Sequence, residues 1–166
     1  SVIFNMEKYV VDEMKRLEEQ LAVFAKEEED FYQMKKGQLV FYQSVISGMF
    51  NLMSVLFGAV CEYDRTLPFK NGRSGISETH NKALLICRKN HEIFAHLLLV
   101  LEDRIKAESA KEIAATQNLE QAARNIGISQ TRLKRILDRK EEGKLDIDTL
   151  RAVCQTLNIP VEYISQ

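Results

Sequence analysis

A chain of 166 residues holds one large or two small domains, and its formal net charge of −1 gives no general attraction to nucleic acid. Two prolines, seven glycines and few alternating β-branched runs predict an all-α protein. The three cysteines, Cys61, Cys87 and Cys154, have no metal-binding spacing and are expected to be buried, reduced thiols of a cytoplasmic protein.

The opening run SVIF is too short for a secretion signal and gives way to a long charged helix, predicted over about 6–36. Val10, Met14, Leu17, Leu21, Phe24 and Phe31 step by four, three, four, three and seven, the pattern of a coiled-coil seam. Glu28 occupies the one broken step, and Lys35, Lys36 and Gly37 supply a stop. No charged residue follows from Gln38 to Cys61. That run is long enough to span a membrane, but Gln43, Asn51, Ser44, Ser47, Gly48, Ser54 and Gly58 temper its hydropathy. A second helix over about 38–63, buried on all sides in a bundle or dimer core, is the favoured expectation, with a membrane span as the alternative.

Pro68, Asn71, Gly72, Ser74 and Gly75 mark a loop over 62–77, after which Ser77 or Thr79 caps a third helix reaching about 115. Its predicted seam is Leu84, Cys87, His91, Phe94, Leu98, Leu101 and Ile105. The three helices are expected to form a bundle over 1–115 that mediates self-association or partner binding, with the domain boundary near 115–118.

Two clusters in this half resemble chemistry. His91 and His96 bracket a glutamate as metalloprotease histidines do, but five residues put them about 140° apart around a helix, too far round to share a metal. His91 is expected to be a hydrogen-bonded core or interface residue. Glu27, Glu28, Glu29 and Asp30 would need a facing acidic pair to hold Mg²⁺, and the second helix offers no acid before Glu62. They are expected to form a solvated face. With no phosphate loop and no nucleophile–base set, no catalytic residue, metal or cofactor is expected.

Residues 118–138, NLEQAARNIGISQTRLKRILD, carry most of the functional information. Asn118 can cap one short helix, with Gln121 reaching back to complete a capping box. Ala123 is small where two helices approach, and Gly127 suits a turn of positive φ. Ser129 can cap a second helix whose apolar edge is Leu133 and Ile136. Its outward residues, Gln130, Thr131, Lys134 and Arg135, are polar and lean basic, with Arg132 at the margin. From Arg124 to Lys144 seven basic residues stand against three acidic ones, an excess of four.

Ala123, Gly127, Leu133 and Ile136, with Ile126 and Ile128 beside the glycine, resemble the positions that fix the helix-turn-helix superfamily. The following DIDTLRAVCQTLNIPVEYI, residues 146–164, is similar to the closing two helices of the lambda-repressor/Cro branch. There Asp146 or Asp148 would cap the first and Pro160 would open the second. The core NLEQAARNIGIS also resembles the factor-for-inversion type. The resemblance covers about the last fifty residues. It implies a DNA-binding domain over 116–166 in which Ser129, Gln130, Thr131, Arg132, Lys134 and Arg135 meet double-stranded DNA. The implied protein is a dimeric transcriptional regulator. The alternative is a helical interaction or membrane-attached module, possibly of a mobile element, whose helix-turn-helix docks protein.

Overall fold

The computed structural model describes residues 6–66 and 78–165, and every regular element among them is helical. The order is α1 (Met6–Lys26), a 3-10 turn (Glu28–Gln33), α2 (Lys36–Thr66), α3 (Glu78–Ala115), α4 (Leu119–Ile126), α5 (Gln130–Leu137), α6 (Ile147–Leu157) and α7 (Val161–Ile164). The SVIF run, the loop residues from Pro68 to Gly75 and the capping position Ser77 lie outside the described residues. Contacts divide the chain into two compact units, 1–33 with 41–100, and 34–40 with 101–166. The last turns of α3 therefore belong to the second unit.

In the first unit Val10, Met14, Leu17 and Leu21 of α1 are buried as their spacing requires. The predicted single helix over 6–36 breaks at Glu27. The Glu27 amide is shared between the carbonyls of Val23 and Phe24, at 3.3 and 3.1 Å, and the chain tightens into the 3-10 turn. That tightening brings Phe31 into the core, fully buried, with its ring 5.5 Å from that of Tyr42. Burial of one large aromatic outweighs the lost turn of α-helix. Lys36 and Gly37 do not stop α1; they open α2, where the Gln38 side chain accepts the Lys35 amide at 3.1 Å.

The end of α2 also differs from the expected loop at 62. The Glu62–Arg65 ion pair (3.3 Å) and the Thr66 hydroxyl on the Tyr63 carbonyl (2.7 Å) accompany one further turn. The helix is not buried all round: Ile46, Met49, Met53 and Val60 face inward, while Phe41, Leu52 and Val55 stand exposed. Along α3 up to Leu101 the buried residues are Ala83, Ile86, Asn90, Phe94, Leu97 and Leu101. Phe94 and Leu101 match the predicted seam, but Leu84, Cys87, Leu98 and Ile105 are only half-buried. His91 is exposed, not a core residue. Asn90 takes the inward place because its amide donates to the Ile86 carbonyl at 2.8 Å and to the Glu18 carboxylate. A buried amide so partnered costs little. Cys61 and Cys87 are only half-buried, whereas Cys154 lies in the second core. Burial pushes the Cys154 thiol above its usual range.

The second unit has its own core. Ala110 and Ala114 of α3, Ala122 and Ala123 of α4, Leu133, Ile136 and Leu137 of α5, Val153, Cys154 and Leu157 of α6, and Ile159 and Ile164 share one buried cluster. Alanines on α4 let it come close to α5 and α6, while the leucines and isoleucines of the later helices fill the space.

Candidate nucleic-acid interface

The pair α4–α5 is built by its ends. Asn118 holds extended backbone and its Oδ1 accepts the Gln121 amide at 3.2 Å. The expected reciprocal bond is absent: the Gln121 side chain turns outward, donating to Asn125 Oδ1 at 3.0 Å and accepting from Arg124. The helix ends on Gly127 at φ +89°, and the amides of both Gly127 and Ile128 return to the Ala123 carbonyl, at 2.9 and 3.1 Å. At that φ a side chain would be strained, so glycine there is a backbone requirement. Ser129 then caps α5, its Oγ accepting the Arg132 amide at 3.0 Å.

With its start fixed, α5 divides sharply. Leu133, Ile136 and Leu137 are buried, while Gln130, Thr131, Lys134 and Arg135 are exposed. Arg132 is half-buried. These outward side chains sit on a short rigid rod anchored from behind.

Two features of the charge distribution are invisible in the sequence pattern. Glu141, from the loop after α5, accepts from Arg132 Nε at 3.3 Å and lies 3.7 Å from Arg135 Nη2, so one carboxylate serves two of the basic residues. Nine and six residues of separation, across a loop, match no local pairing rule. Arg139 leaves the basic face altogether. Its backbone is left-handed at φ +58° and its amide and that of Lys140 return to the carbonyls of Ile136 and Arg135, closing α5 as glycine usually would. Its nearly buried guanidinium donates to the Tyr163 carbonyl at 2.9 Å, the Glu162 carbonyl at 3.4 Å and the Asp103 carboxylate. Arg139 thus ties α5, α3 and α7 together.

Lys134, Lys140 and Lys144 remain exposed, with no ion pair among the described residues, and Arg124 lies 3.8 Å from exposed Glu120 besides donating to Gln121. The usable positive charge is therefore mostly lysine, with Arg135 partly engaged. Behind it Asp146, not Asp148, caps α6 by accepting the Thr149 amide at 2.9 Å. Hydrogen bonds from the Thr149 side chain and amide, with a smaller contribution from Arg132, hold the Asp146 carboxyl below its ordinary value. The helix ends on left-handed Asn158, and Pro160 precedes α7. No protein-family model, curated protein or solved structure matches this chain.

Proposed function

We propose that residues 116–166 form a helix-turn-helix domain that binds double-stranded DNA in a sequence-specific way through α5, and that the chain is a transcriptional regulator. In this proposal residues 1–115 form a helical bundle that makes a homodimer. The observation that carries it is the two-faced α5: a capped, anchored helix with a polar, basic outer surface. Gln130 stands one residue beyond the cap, and its amide can donate and accept together, as an adenine edge requires. Lys134 supplies phosphate attraction without reading sequence. Arg135 and Arg132 reach DNA only by leaving Glu141. A modest charge excess suits a dimer, which doubles its phosphate contacts.

Binding of the full chain to selected duplexes across a salt series tests the proposal. Gln130→Ala should change the preferred sequence and cost about 1–3 kcal/mol on the best site. Lys134→Ala should weaken all sequences alike and flatten the salt dependence. A wild type that binds no duplex defeats it. The rival, in which α5 docks protein, is favoured by Glu141, which already neutralises part of the basic face.

A further inference from the structure

Helix α2 carries two apolar seams, and among the described residues only one is buried. Ile46, Met49, Met53 and Val60 are buried on its inner side. On another side Phe41, Val45, Gly48, Leu52, Val55 and Ala59 step by four, three, four, three and four, the spacing of a coiled coil. Phe41 is 65 %, Leu52 42 % and Val55 67 % exposed; Gly48 and Ala59 are exposed too. The seam of α1 does not compete for partners, because Met14 and Leu21 are fully buried within the chain.

Gly48 is the second observation. It lies in the middle of a 31-residue helix, where glycine costs up to about 1 kcal/mol relative to alanine. A Cβ built on it would meet nothing within 4 Å, and the same holds for Gly58 off the seam, so packing inside the chain requires glycine at neither position. On the seam, the missing side chain at Gly48 leaves a gap that a neighbour's side chain can fill.

We infer that this outer seam is a homodimer interface, in which α2 of one copy packs antiparallel against α2 of a second copy. With the two-fold axis passing near position 50, Leu52 faces the gap at Gly48 of the other copy, Phe41 faces Ala59, and Val45 faces Val55. The two largest side chains then meet the two smallest positions and valine meets valine, the self-complementarity that an isologous contact demands. Parallel pairing would set Phe41 against Phe41 and leave two glycines facing a void. No charge repels the copies, since 38–61 has none.

Area agrees with this occupant. Phe41, the one aromatic of the seam, presents on the order of 150 Å², and with exposed Leu52, Val55 and their flanks the seam offers on the order of 500 Å² per copy. Two copies bury about 1,000 Å², where specific association begins. A lipid surface fits less well, because exposed Asn51 and Ser44 flank the seam and would lose their hydration there. The pairing rests on the dimer proposed above, and not on DNA binding.

Sedimentation of the full chain tests it. Wild type should be a dimer, and Leu52→Glu should raise its dissociation constant at least a hundredfold while the helical circular dichroism persists. Gly48→Ala, which has room inside the chain, should weaken the dimer about tenfold and leave the monomer folded even if the first variant does not fold. Orientation is read by mixing Val45→Cys with Val55→Cys chains, Cys61 and Cys87 being replaced by serine. The mixture should cross-link and neither variant alone should. A monomeric wild type, a dimer indifferent to both substitutions, or cross-linking within one variant overturns the proposal. So does partition into phosphatidylcholine vesicles that Leu52→Glu abolishes. A dimer that binds no DNA leaves this interface standing and removes only the DNA proposal.

Discussion

The two units hold their helices in place by different means. In the first, α1 spans 21 residues and α2 31, and their positions are set by long seams meeting far along the chain. In the second, α4 and α5 have eight residues each and α6 eleven, lengths at which an isolated helix is marginal in water. There a side-chain cap opens each of these helices and a left-handed residue closes it, Gly127, Arg139 and Asn158 in turn. Short helices are thus specified by chemistry within a few residues of their ends. Long ones are specified by which of several apolar faces finds a partner.

Substitutions can break or sharpen this contrast. The largest effect belongs to the first unit's seam: Met14→Glu buries a charge at a fully buried position and should cost several kcal/mol, while Val23→Glu on the exposed side of α1 should stay within about 0.5 kcal/mol. Urea unfolding followed by circular dichroism distinguishes them, and equal midpoints would mean that the seam is not the core. Next comes Arg139→Ala, which removes a charged fork and should destabilise the second unit by about 2–3 kcal/mol. Arg139→Lys should recover little, because an ammonium lacks the planar reach to the Tyr163 carbonyl and Asp103 together. Rescue by lysine would assign the effect to charge alone.

The caps should matter less, at about 1 kcal/mol each for Asn118→Ala and Ser129→Ala, read as faster amide exchange in the first turns of α4 and α5. Asp146 adds a pH dependence. Its carboxyl is held low in the folded chain, so its contribution is present above the ordinary carboxylate range near 4 and is lost as pH falls through the lowered value. Asp146→Asn should remove that part of the acid slope; an unchanged profile would take Asp146 out of it. The smallest stability effect is expected from Glu141→Gln, below about 1 kcal/mol for partly exposed ion pairs. Under the DNA proposal the same change frees Arg132 and Arg135, tightening duplex binding and steepening its salt slope. A weaker complex would instead make Glu141 a residue that positions the arginines.

How much was legible follows the same division. Asn118, Gly127, Ser129 and Asp146 are recognisable because each acts on a backbone group within four residues, and such rules travel with the sequence. Arg139 as a helix closer was hidden, since nothing nearby marks an arginine for left-handed backbone; its partners lie 24 and 36 residues away. The inward face of α3 is hidden in the sequence for another reason. Leu84 and Leu85, then Leu97, Leu98 and Leu99, make adjacent registers almost equally apolar, so spacing alone does not choose the face. The choice falls to Asn90, whose burial depends on a carboxylate from α1.

What the sequence by itself determined is the all-helical character, the seam of α1 and the ends of the short helices, because propensity, periodicity and capping act locally. Only the tertiary structure decided where α1 breaks to bury Phe31, which face of α3 turns inward, that Glu141 and Arg139 reshape the basic surface, and that Phe41, Leu52 and Val55 of α2 stand exposed among the described residues. Each of those depends on what residues distant in sequence place opposite, and a local pattern contains no record of that.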